Sequence, residues 1–109
     1  MQGSYPLSIS IFPNLEKIRK HIGTSIKLAR MRRDWSARVL AERTRMSRVT
    51  LWKIESGDGG VSFDAILNIS MALDMHIPLA TVFENDKLGD LLMDGKLLNR
   101  KRSTKRKQK

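Results

Sequence analysis

The chain has 109 residues, 40% of them hydrophobic, and 21 Lys/Arg against 11 Asp/Glu give a formal net charge of +10; this bounds it to one compact domain with tails, small enough to gain from a partner subunit. With no cysteine, disulfides and thiolate metal sites are excluded, and with His21 and His76 far apart and isolated neither a zinc centre nor a cofactor is expected. The charge is segregated: residues 1–53 hold twelve Lys/Arg against three Asp/Glu, residues 54–95 one Lys against eight acids, and residues 96–109 eight bases and no acid, which fits either a polyanion-facing surface or a charged face kept for solubility.

Residues 1–13 form an arm in which Leu7-Ser8-Ile9-Ser10-Ile11 alternates apolar and polar, the period of a strand, closed by Pro13. A lone strand is not stable, so it must pair with a copy of itself or with another subunit, or lack order. The apolar run from Leu7 to Phe12 is too short and too interrupted for a signal peptide or a membrane span, so no membrane partner and a cytoplasmic location are expected. Asn14 caps a first helix running to about Arg33, with Leu15, Ile18, Ile22, Ile26 and Ala29 on one face and a basic opposite face; Gly23 weakens it slightly.

After a break at Asp34-Trp35-Ser36, Ser36 caps a short helix with Leu40, Ala41 and Thr44 turned inward. Arg45-Met46-Ser47 is a second break, and Ser47 caps a helix to about Ser56 that buries Leu51 and Ile54. The run Ser56-Gly57-Asp58-Gly59-Gly60 is a loop. Ser62 caps a fourth helix that offers Phe63, Ile66, Leu67, Ile69 and Leu73 to the core, residues 74–78 connect, and Leu79, Val82 and Phe83 form the stripe of a short fifth helix. Residues 14–84 thus make the folded domain, 85–98 a polar extension containing Leu88, Leu91 and Leu92, and 99–109 a low-complexity basic tail without order.

The informative stretch runs from Trp35 to Gly57. Two short helices with a tight connection cross steeply, with small Ala41 at the approach and Met46, Leu51 and Ile54 anchoring the second helix. Its outward side then presents Arg48, Val49, Trp52 and Lys53. Apolar groups there suit a thymine methyl or sugar edges; alternatively Trp52 packs on a neighbouring helix.

The pattern Ser36…Leu40-Ala41…Ser47-Arg48…Thr50-Leu51…Ile54-Glu55…Gly57, followed by Ser62-Phe63-Asp64…Ile66-Leu67…Ile69…Ala72-Leu73, resembles the Xre-type helix-turn-helix family of phage repressors and bacterial regulators over residues 22–83. The resemblance implies an all-α, five-helix repressor-like domain in which the helix from Ser47 reads DNA and no catalysis occurs. It makes Arg48, Val49 and Lys53 base-facing, with Trp52 beside them, and puts Ser36, Ser47 and Thr50 on phosphate. Lys27, Arg32, Arg33, Arg38 and Arg45 would add ionic contacts. It pairs Arg30 with Glu55 as a partly buried ion pair. Two departures stand out: Ala37 replaces the family's usual glutamine after the first cap, and Arg45 replaces a turn glycine, forcing a left-handed residue or a reshaped turn.

More narrowly, the segment from Glu55 to Ser62, the helix to Leu73, the run Asp86-Lys87-Leu88-Gly89 and the basic end are similar to HipB-type antitoxins, the regulators found beside HipA-type kinase toxins. That similarity implies a homodimeric repressor of a palindromic operator in double-stranded DNA, with a HipA-type kinase toxin as partner. Leu79, Val82, Phe83, Ile9 and Ile11 are the dimer candidates, although Leu79, Val82 and Phe83 serve equally to close the monomer core. The alternatives left open are a stand-alone Xre-family repressor and a basic RNA-binding or scaffold protein. An enzyme is disfavoured by the absence of a Gly-rich phosphate loop, an HExxH pair or a Cys/His nucleophile couple.

Overall fold

A computed structural model describes residues 14–107. Six helices follow one another among these residues, with no strand: α1 Leu15–Arg32, α2 Ala37–Thr44, α3 Arg48–Ser56, α4 Phe63–Ala72, α5 His76–Thr81 and α6 Lys87–Lys107. The proposed arm strand, with Ile9 and Ile11, lies outside the described residues. The chain divides after Leu79 into two compact units.

Side-chain caps start the helices of the first unit. The Asn14 Oδ1 accepts from the Lys17 N–H at 3.2 Å, and the Ser36, Ser47 and Ser62 hydroxyls accept from Val39, Thr50 and Ala65 at 3.2, 3.0 and 3.1 Å. Each satisfies one donor that the first helical turn leaves open. Left-handed residues stop α2 and α3: Arg45 at φ 55° and Gly57 at φ 72°. Arg45 therefore takes the strained branch that its side chain disfavours. The turn keeps its geometry, with the Met46 N–H bonded to the Ala41 carbonyl at 3.0 Å.

The core is Ala29, Leu40, Ala41, Leu51, Ile54, Ile69 and Leu73, drawn from α1 to α4, with Ile26, Met46 and Ile66 packed around it. α1 lies on α3, and α2 lies on both α3 and α4. The α1–α3 contact runs through Gly23. A Cβ there would fall onto the Ile54 carbonyl oxygen and within 2.7 Å of the Glu55 carbonyl oxygen. Gly23 therefore sets the approach of the two helices, beyond its cost to α1. Arg33 bridges α1 to the end of α4, donating to the Ala29 and Leu73 carbonyls at 2.8 and 2.9 Å.

Four expectations are corrected. Leu15 and Ile22 are exposed: Leu15 lies in the first turn of α1, which at 18 residues overhangs the eight- and nine-residue α2 and α3, and Ile22 borders an open groove beside the Gly23 contact. Phe63, the first residue of α4, also projects into solvent, while the deeper Ile69 and Leu73 fill the core. The fifth helix starts at His76 and ends before Val82, which leaves Val82 and Phe83 in the turn beyond it, Phe83 at 92% exposure. Pro78 sits in the first turn of α5, where no intrahelical bond needs its missing N–H.

The last correction concerns the second unit, where the chain continues as α6 through the basic stretch expected to lack order. Asp86 starts α6 by accepting from the Gly89 N–H at 2.9 Å, and the Leu, Lys and Arg that follow are strong helix formers. Leu88, Leu91, Leu92 and Leu98 are exposed on it. Among the described residues no helix is long and apolar enough to cross a membrane.

Candidate nucleic-acid interface

α3 turns Leu51 and Ile54 inward, and this fixes what it shows outside. Arg48, Trp52, Val49 and Lys53 follow one another within about 140° of its circumference. All four are exposed, Val49 at 63% and Trp52 at 64%. Trp52 does not pack on a neighbouring helix. A residue of that size left in water stands out against a core closed from the other side of the same helix.

Beside this edge lies a cleft of about 440 Å³ lined by Lys27, Arg30, Ala37, Arg48, Val49, Leu51, Trp52 and Glu55. It brings the last turns of α1, the start of α2 and the outer edge of α3 to one concave surface. Lys27, Arg48, Val49 and Trp52, singled out separately in the sequence, share it. Lys53 falls on the far edge of α3, where it lines a second groove of about 220 Å³ with Arg19, Ile22 and the glycine loop.

Glu55 is the acid on the cleft, and its charge is taken up locally. Arg30 Nε and Nη2 donate to its two carboxylate oxygens at 2.7 and 3.0 Å, and Arg30 Nη1 donates to the Trp35 carbonyl at 2.9 Å. Both side chains are about nine-tenths buried, at 11% and 10% exposure. The hydrogen bond to Glu55 raises the Arg30 pKa above its ordinary value, so the guanidinium stays charged. With Glu55 neutralised by a bidentate clasp, Lys27 and Arg48 leave the cleft positive.

The phosphate candidates are spread around this surface. Ser36 precedes Ala37 on the cleft wall, and its hydroxyl caps α2. The Ser47 hydroxyl accepts the Thr50 N–H and donates to Thr50 Oγ1 at 2.9 Å. Arg45 is exposed in the α2–α3 turn. Arg38 makes an exposed ion pair with Glu42 at 3.1 Å, one turn along α2. Arg33 is committed to two internal carbonyls and is not part of this surface. Two contacts escaped the sequence reading. Gly57 lies where a Cβ would come within 2.6 Å of the Lys20 Cα, and Trp35 lies half-buried with the Arg43 guanidinium 4.4 Å from its ring centre. Gly57 has its place in the family pattern, but its contact partner lies more than 30 positions away, and an aromatic beside arginines has no spacing that marks a stacked pair.

Residues 21–79 match the family described as a helix-turn-helix domain. No curated protein matches the chain.

Proposed function

This chain belongs to the helix-turn-helix domain family, and on that premise we propose that it is a transcriptional repressor that reads double-stranded DNA with the outward edge of α3. The observation that carries the reading is that Arg48, Val49, Trp52 and Lys53 are all exposed on one side of a helix whose other side is locked into the core. In that role Arg48 and Lys53 bond guanine O6 and N7, each good pair worth ~1–3 kcal/mol of discrimination. Lys27 and Arg45 meet phosphates on either flank, joined by the N-terminal ends of α2 and α3. The Ser47 and Thr50 hydroxyls lie 2.9 Å apart, and with one bonded to the other a single hydroxyl proton is left for a phosphate oxygen.

The protein acts as a homodimer with two reading helices ~34 Å apart, so its operator is an imperfect palindrome. Leu79 and the exposed Val82 and Phe83 are the contacts we assign to the partner subunit. The test is a footprint on the DNA upstream of its own gene. A protected palindrome, lost in the Arg48→Ala, Lys53→Ala double variant, is the expected result. Binding that shows no preference for a duplex, or that survives the double change, supports an RNA-binding or scaffold role instead.

The finer identity we infer is a HipB-type antitoxin that also holds a HipA-type kinase. It rests on the resemblance of the segment from Glu55 to Ser62 and of Leu88-Gly89. Its support is the acidity of residues 54–95, chemically unlike the α3 edge. In the loop, Gly57, Gly59 and Gly60 all take positive φ, a path that side-chain-bearing residues resist. Co-purification with a kinase encoded beside the gene is the expected outcome. A chain that purifies alone and still protects the palindrome is a stand-alone repressor.

A further inference from the structure

We infer that Val49 and Trp52 read methyl groups: α3 selects half-sites that carry two thymines one or two base steps apart by seating their C5 methyls against these two side chains. The inference rests on α3 as the DNA reader and goes beyond it by naming what the apolar part of the edge recognises.

The fold itself makes no use of these groups. Leu51 and Ile54 close the core from the opposite side of α3, while the Val49 isopropyl and the Trp52 indole remain in solvent. Neither can take part in the donor–acceptor code as Arg48 can. Valine has no polar side-chain atom, and the indole has a single N–H and no acceptor.

Their surroundings point to a polyanion. Lys27 and Arg48 line the same cleft, the Glu55 carboxylate is clasped by Arg30, and Lys53 stands on the far edge of the helix. An apolar spot ringed by cations is mismatched to a lipid tail or to the apolar centre of a protein interface. It matches the floor of the major groove, where the thymine methyl is the apolar group that base pairs present between phosphate walls. Ala37 lines the same cleft and adds a small apolar surface to it.

Spacing sets the pattern. Val49 and Trp52 are three residues apart, about 4.5 Å along the helix. Base pairs stack about 3.4 Å apart, so two methyls one or two steps apart fall within reach of the two side chains.

The experiment takes the tightest duplex that the full chain selects from a random pool and replaces each thymine in turn with deoxyuridine, which removes the methyl and nothing else. One or two positions per half-site should bind the wild type about fourfold more weakly, as expected for one buried methyl. Val49→Ala and Trp52→Ala should each become indifferent to deoxyuridine at one of those positions. Thermal unfolding checks that both variants remain folded; if either does not, Val49→Ser and Trp52→Gln repeat the comparison. Tight duplex binding that ignores every deoxyuridine overturns the methyl assignment and leaves α3 as the reader. Unchanged deoxyuridine responses in both variants also overturn it, and give the apolar pair to a protein contact. Failure to select any duplex overturns the assignment together with the reading on which it rests.

Discussion

On its inward side α3 buries Leu51 and Ile54 and holds Glu55 in a two-bond clasp with Arg30. On its outward side, interleaved with these along the chain, Arg48, Val49, Trp52 and Lys53 touch solvent. The same nine-residue helix is thus a structural brace on one edge and a free chemical surface on the other. On the proposed reading, position and recognition are encoded by separate residues, so each can be altered with the other intact.

The largest test of that separation is on the inward side. Glu55→Ala leaves the Arg30 guanidinium mostly buried without its carboxylate, and should cost about 3 kcal/mol in urea unfolding. A loss under about 1 kcal/mol would show that the clasp does not hold α3. Gly23→Ala comes next. Its new methyl collides with the Ile54 carbonyl, and α1 must move away from α3, for a loss of about 2 kcal/mol in the same measurement. A neutral result would mean that the helices are not in close contact there.

On the outward side, Arg48→Ala should weaken operator binding about tenfold while the melting temperature stays put. A matching drop in stability would break the comparison. Arg45→Gly sharpens it, because it acts on both sides with opposite signs. Relief of the left-handed strain should stabilise the protein by about 0.5–1 kcal/mol, and loss of the cation should reduce DNA affinity and its salt slope by about one phosphate contact.

The smallest effect lies on the exposed face of α1. Lys20, bonded to Glu16 at 2.9 Å, holds that carboxyl below its ordinary 4.5. A depressed carboxylate contributes stability that is present at neutral pH and is lost as the pH falls through its folded-state pKa. The difference in melting temperature between wild type and Lys20→Ala should therefore be measurable near pH 7 and gone near pH 2. A difference that persists in acid would assign the effect to helix propensity or to the Lys20 stem beside Gly57 rather than to the ion pair.

What the sequence revealed, and what it hid, follows the range of the signal. The caps at Asn14, Ser36, Ser47 and Ser62 act on groups three residues away, and they marked the helix starts. The inward set Leu40, Ala41, Thr44, Leu51 and Ile54 follows from helical period within short segments, and all five are buried. Gly23 was invisible as a contact because its partner carbonyls lie more than 30 positions along the chain. Leu15 and Phe63 have the right period, but period does not reveal where a neighbouring helix ends, and Ile22 has it too but borders a groove that stays open. Val82 and Phe83 misled for a different reason: Pro78 resembles a stop signal, and inside a first turn it is not one. Along α6, low complexity resembles absence of structure, although its residue types favour a helix.

Arg30 has one further consequence. Its three bonds join the end of α1, the entry to α2 through the Trp35 carbonyl, and the last turn of α3. A single planar group at this junction acts as a rivet, removing the rocking freedom that three short rods would otherwise have. A protein so fastened meets its ligand with its orientation already decided, and the ordering loss that weakens flexible binders is incurred during folding, before encounter. Any bending required for a good fit then falls to the double helix, so sequences that flex easily at positions the protein never touches should also be favoured.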